Sequence, residues 1–208
     1  MKERPILFSS PMVRAILEGR KTMTRRVIKL DEFSESTTPG YDFAFRKRGL
    51  WHDVRLADML DPPRRNYPGA CPYGTIGDRL WVKETHHVRD ARYVDGTGWD
   101  IVYKADDEDF PYGWTPSIHM PRWASRITLE ITGIRLQRLQ EITEEDARAE
   151  GITDGGCLEC GNHEPCGCSN PNPDARDAFI YLWDSINSKR APWASNPWVW
   201  VIEFGRAK

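Results

Sequence analysis

The run Trp198-Val199-Trp200-Val201-Ile202-Glu203-Phe204 is a strand apolar enough to be central in a sheet. It constrains the chain more than any other segment, because a strand of this kind needs neighbours on both edges and cover on its faces. Ser125-Arg126-Ile127-Thr128-Leu129-Glu130-Ile131-Thr132-Gly133-Ile134 alternates strictly and turns Ile127, Leu129 and Ile131 inward. Shorter strands are expected at Pro5–Phe8, Met23–Ile28, Leu80–Thr85 and Asp100–Ala105.

Three helices are expected among these strands. Ser10 reads as an N-cap with Pro11 at the first helical position, and Met12, Val13, Ile16 and Leu17 share one face. Gly19 stands where a left-handed C-cap belongs. Thr143-Glu144-Glu145-Asp146 matches a capping box and opens a short helix through Glu150, stopped by Gly151. Asn172-Pro173 caps a third, whose apolar face carries Ala175, Phe179, Leu182, Trp183 and Ile186. Many short strands around few short helices make an α+β fold, a small twisted or closed sheet.

Residues 31–72 are rich in Ser, Thr, Pro, Asp and Arg without a sustained period, and read as a long surface insertion; residues 106–116 read as a loop. With 208 residues the chain suits a single domain carrying insertions. Most of the nine tryptophans, Trp183 and Trp200 among them, are expected in the core. No run approaches the roughly 18 apolar residues of a membrane span, and Met1-Lys2-Glu3-Arg4 leads into a strand rather than a signal-peptide core. A cytoplasmic protein without membrane contact is the expectation.

The net charge is −2, which argues against a globally basic, non-specific nucleic-acid binder. Residues 1–65 nevertheless hold fourteen Lys/Arg against nine Asp/Glu. Within that half, Gly19-Arg20-Lys21-Thr22-Met23-Thr24-Arg25-Arg26 brings an ammonium and a hydroxyl to one rim, just after a helix stop. A threonine hydroxyl is a poor nucleophile until a base takes its proton. Lysine becomes such a base only when burial or nearby cations lower its pKa, and Arg20, Arg25 and Arg26 supply cations. By spacing alone the segment is equally readable as a basic hairpin with a capping threonine.

These residues, followed by Gly77-Asp78 opening a strand, resemble the ASCH domain family, a relative of the PUA domains. The closing strand, Trp198 to Phe204, resembles that family's last strand. The likeness runs through 5–28, 77–85, 125–152 and 175–204. Residues 31–72, 106–120 and 153–172 lack counterparts in the smallest members, which points to the longer, phage- or prophage-associated branch. The resemblance implies a small PUA-like β-barrel with short flanking helices and a cleft for RNA or a nucleobase. One branch of the family removes the acyl group from N4-acetylcytidine with a Lys, a Thr and a Glu. By motif match these fall on Lys21, Thr24 and Glu150, with no cofactor for catalysis. In that chemistry Thr24 attacks the acyl carbonyl while Lys21 or Glu150 takes its proton, or Thr24 orients a water and Glu150 is the base. Arg26 or a backbone N–H near Gly19 would hold the oxyanion.

Arg20, Arg25 and Arg26 are candidates to hold the ligand, a modified nucleoside or single-stranded RNA. Glu84 and His86, next to His87, follow the Gly77-Asp78 strand toward the same cleft, and Trp81, Tyr103 and Trp123 are candidates to flank a base. Two other functions compete with the amidohydrolase: a nucleic-acid-binding module without catalysis, and an ASCH-type ribonuclease. Cys157, Cys160, Cys166 and Cys168 lie within twelve residues and can supply four thiolates to a structural zinc, with His163 in reserve; free thiols and disulfides are the alternatives. Cys71 stands apart and is expected to be inert.

Overall fold

The structure is a computed structural model, described over residues 1–29, 31–61, 69–90, 99–153 and 175–207. Its centre is a five-stranded sheet in the order β1-β6-β9-β10-β2. The strands are β1 (Glu3–Leu7), β2 (Met23–Val27), β6 (Arg79–Lys83), β9 (Thr128–Arg138) and β10 (Trp198–Arg206). β1 runs parallel to β6, and the remaining pairs are antiparallel. The strand expected to be central is flanked by β9 and β2.

β10 is buried on both faces, and its alternate residues divide between two cores. Trp200, Ile202 and Phe204 pack with Ile6, Leu80, Val82, Leu129 and Ile131, and with Val13 and Ile16 of helix α1 (Ser10–Leu17). Val199 and Val201 face the other way. They meet Met23, Ala147 of α3 (Glu144–Ala149), and Ala175, Phe179 and Trp183 of α4 (Ala175–Asn187). Helices thus cover opposite faces of one sheet. That explains why a period-2 pattern is absent from residues 199–202: both faces of the strand are buried there.

Residues 31–61 depart from the expected surface insertion. They form a three-stranded antiparallel meander, β3 (Asp31–Glu35), β4 (Phe43–Lys47) and β5 (Leu50–Val54), followed by the short helix α2 (Leu56–Leu60). Phe43, Phe45, Val54 and Met59 are buried in the α1-side core. The polar residues that obscured the pattern lie on the outer side and in the turns, while Phe43 and Phe45 alternate inward as half-buried strands require. A two-stranded sheet, β7 (His86–Asp90) with β8 (Trp99–Tyr103), completes the strands, and 106–116 is a loop as expected.

The α+β expectation is met. Among the described residues the sheets are open and no closed barrel forms. Helix α1 begins one residue earlier than read, with Ser9 in the extended N-cap conformation and Ser10 as its first residue. No helix among the described residues is long and apolar enough to cross a membrane. Cys157, Cys160, Cys166, Cys168 and His163 lie outside the described residues. Cys71 is a free, buried thiol.

Candidate functional site

Two glycines deliver Lys21 to its place. Gly19 adopts φ +79° directly after α1 and turns the chain back, so that the Lys21 N–H donates to Ala15 C=O at 3.0 Å. Gly151 has φ +87° beyond α3, and a Cβ there would meet Ala15 Cβ at 2.9 Å and Lys21 Cβ at 3.0 Å. The end of α3 therefore lies against the start of β2. Thr22 N–H donates to Ala149 C=O (2.9 Å), and Lys21 bridges Glu150 in antiparallel fashion.

The Lys21 side chain is fully enclosed and has all three donors in use. Nζ donates to the Glu150 carboxylate at 2.7 Å, to Glu150 C=O at 2.8 Å and to Met23 C=O at 2.8 Å. Burial pushes the Lys21 pKa below the ordinary lysine value; the Glu150 charge and hydrogen bond oppose that, and Arg26 and Arg25 reinforce it. The other Glu150 oxygen faces Arg25 Nη1 at 3.4 Å. Arg25 is itself enclosed, held by Asp146 through Nη2 and by Gln137 Oε1 at 3.1 Å. Asp146 also takes both oxygens to Arg135 Nη2 at 3.0 Å. This use of Asp146 leaves the capping box one-sided: Thr143 Oγ1 accepts from Asp146 N–H at 3.1 Å, while the Asp146 carboxylate turns to the two arginines.

β2 is an edge strand, and its free side forms one wall of a cleft of about 820 Å³. Six successive residues, Thr24 through Lys29, line it, and among the described residues no strand pairs with that edge. The ladder bonds Phe204 N–H to Thr22 C=O and Ile28 N–H to Trp198 C=O set the phase. The peptide groups of Thr24, Arg26 and Ile28 thus turn to β10, and those of Met23, Arg25 and Val27 turn to the open edge. Pairing of Thr24 with Ile202 and of Arg25 with Val201 puts their side chains on opposite faces of the strand. The opposite wall comes from α4, with Leu182 and Ile186, and from the turn Asn187–Arg190; Met12, Tyr73 and Glu150 complete the lining.

The triad expected from the motif therefore converges only in part. Lys21 and Glu150 are in direct contact, 129 positions apart in sequence, and Glu150 and Thr24 line the same cleft. Lys21 stands behind Glu150 rather than on the cleft surface. The Thr24 hydroxyl makes no hydrogen bond among the described residues. Arg26 donates through Nη2 to Leu7 C=O (2.7 Å) and lies 5.2 Å over the Phe8 ring, leaving its buried Nε without an acceptor among the described residues.

The expected ligand-holding residues separate. Arg26 lines the cleft. Arg25 lines it too, but its guanidinium is committed to Asp146, Glu150 and Gln137 rather than to a ligand. Arg20 lies on the outside, paired with Glu18 and donating to Gly151 C=O at 3.1 Å. Glu84, His86, Trp81, Tyr103 and Trp123 do not line this cleft. Glu84 is buried in a two-pronged pair with Arg126, both contacts at 3.0 Å, and Arg126 stacks 3.9 Å over the Tyr103 ring. The Tyr103 hydroxyl donates to Ala124 C=O at 2.9 Å, and His86 Nδ1 lies 3.2 Å from Glu84 C=O. Trp81 packs beneath Lys83 and Arg122, and Trp123 is exposed. Glu84, His86, Tyr103 and Arg126 form a second polar cluster, because β6 continues into β7 rather than back toward β2.

Sequence reasoning missed Tyr73, Asp146, Arg135 and the α4 turn. For α4 the signal was present: Leu182 and Ile186 extend its apolar face, yet Ile186 is 62% exposed. An apolar helical position left open to solvent beside a cleft is a wall rather than core. Among the described residues no group of three or more His, Cys, Asp or Glu side chains is arranged to hold a metal ion. No protein-family model, curated protein or solved structure matches the chain.

Proposed function

We propose that the cleft hydrolyses an amide on the exocyclic amine of a modified pyrimidine, N4-acetylcytidine or a close relative. The observation that carries this reading is the buried contact between Lys21 and Glu150 at 2.7 Å beside a cleft that also holds Thr24. A buried ion pair costs desolvation and seldom improves on apolar packing for stability alone, so its retention at a cleft wall favours a chemical use.

In this reading Glu150 faces the substrate and Lys21 holds its carboxylate in place. The attacking oxygen is the Thr24 hydroxyl, or a water that this hydroxyl orients. Glu150 takes the proton as the C–O bond forms, and the proton returns to the exocyclic nitrogen as the C–N bond breaks. Where Thr24 attacks, the acyl group is left as a Thr24 ester, which a water then hydrolyses to free the hydroxyl; by either route the products are the free amine and the carboxylic acid, with one water consumed. Arg26, whose Nε lacks an acceptor among the described residues, is suited to the charge that develops on the carbonyl oxygen. The outward peptide groups of Arg25 and Val27 supply donors and acceptors for the edge of a base. Membership of the ASCH family, with its PUA-like architecture, belongs to the same proposal. It is supported by the succession of α1, Gly19, Lys21 and Thr24 and by the contact of Glu150 with Lys21.

The test is incubation of the purified protein with N4-acetylcytidine, following cytidine and acetate. Thr24→Val and Glu150→Gln are each expected to lower kcat by about a hundredfold or more. An acyl group trapped on Thr24 identifies it as the nucleophile; turnover without one assigns the attack to water. Absence of turnover, or full activity in Glu150→Gln, overturns the reading.

A further inference from the structure

Besides Thr24 and Glu150, the cleft is lined by cationic side chains from two elements. Lys29 continues from β2, and Lys189 and Arg190 follow α4; all three line the same cavity and are exposed. None of them makes an ion pair among the described residues, whereas Arg25 in the same cleft is paired through its Nη atoms with Asp146 and Glu150. Among the described residues Glu150 is the one carboxylate lining the cleft, and it already faces Lys21 and Arg25. Ser185, Asn187 and Ser188 add small polar side chains to that wall.

This concentration does not follow from the composition, since the chain carries a net charge of −2. Three cations without an ion pair among the described residues line one concave site from two separate elements and give it a local positive potential. The distance is also informative. As extended chain, β2 travels about 13 Å from Thr24 to Ile28. That is well beyond the span of a single pyrimidine ring, so a base held at Thr24 leaves the Lys29 end to whatever the base is attached to.

We infer that Lys29, Lys189 and Arg190 form a phosphate subsite, so that the cleft takes a phosphorylated nucleoside or a nucleotide within a strand rather than a free nucleoside. The inference rests on the reading that the base sits at Thr24 and Glu150, and it deepens that reading by naming the substrate class. The shared chemistry is a phosphate joined through ribose to the base, whether terminal or between nucleotides.

The experiment is a calorimetric titration of the full chain with cytidine, cytidine 5′-monophosphate, ribose 5-phosphate and a short single-stranded oligocytidylate. A charge-assisted contact at the subsite is expected to make the monophosphate or the oligomer bind at least about tenfold tighter than cytidine, less so as salt rises. The advantage is expected to fall toward onefold in the triple variant Lys29→Gln/Lys189→Gln/Arg190→Gln, and to return in Lys29→Arg/Lys189→Arg/Arg190→Lys. Preference for the monophosphate assigns a terminal phosphate; preference for the oligomer alone assigns a phosphate between nucleotides. Equal affinity for all four compounds, or an advantage that survives the triple Gln variant, overturns the subsite. If ribose 5-phosphate binds as tightly as the cytidine monophosphate, the phosphate subsite stands and the base-binding reading fails.

Discussion

Lys21 is the residue on which sequence and structure meet most closely. Its ammonium satisfies three acceptors inside the protein, so removing it leaves one Glu150 oxygen and two carbonyl groups without their donor. Lys21→Met is therefore expected to destabilise the fold by about 3–5 kcal/mol, measured by urea denaturation, because a buried charge loses its partner. Thr24→Val is expected to cost less than about 1 kcal/mol in the same assay, since its hydroxyl bonds to no described residue. That contrast makes Thr24 the cleaner probe of chemistry. His86 offers a different test. Burial holds its imidazole below the ordinary value of 6.5. Between that folded pKa and 6.5 the unfolded chain binds a proton that the folded one does not, so stability falls as pH drops through the window. Unfolding midpoints at about pH 7.5 and about pH 5.5 are expected to differ by less in His86→Gln than in the parent protein.

At the level of elements, the end of α3 and the start of β2 are bound through one close approach and one charge network. Gly151→Ala meets both a left-handed backbone and contacts of 2.9 and 3.0 Å to Ala15 and Lys21. It is expected to cost about 3 kcal/mol and to displace Glu150, seen as a lowered thermal midpoint together with lost turnover. Much of this arrangement was readable from residues alone. Gly19 and Gly151 stood where helices had to stop, and Lys21 and Thr24 stood out just after the first stop; Glu150 entered only through the family resemblance. The contact between Lys21 and Glu150 was not readable, because it joins the two stops across 129 positions and depends on β2 pairing with β10. The pairing of Arg25 was hidden for a related reason. A cation beside a candidate site looks like a ligand-holding group until the structure shows Asp146 and Glu150 already opposite it.

Across the whole molecule, the segment 31–61 contributes to the same core as β10 and α1. Phe45 has no exposed surface and packs there with Met59 and Cys71. Phe45→Ala is expected to lower stability by about 3–5 kcal/mol in a single cooperative urea transition. A separate early transition for the meander would instead make it an independent unit. Cys71, in the same core, has its thiol pushed up to about 11 by burial. It is expected to resist alkylation at neutral pH until the chain is unfolded, as peptide mapping would show.

The sequence by itself determined the class of fold, the central strand and the helix stops. All of these depend on local period, capping and apolar content, which act between near neighbours. Only the tertiary structure decided that Glu150 meets Lys21, that Arg25 braces the pair, that Glu84 and His86 belong to another cluster, and that β2 keeps a free edge facing α4. Those outcomes depend on which strands pair and in what order. Strand order is settled by burial of whole faces, a property of the assembled sheet that no single segment encodes.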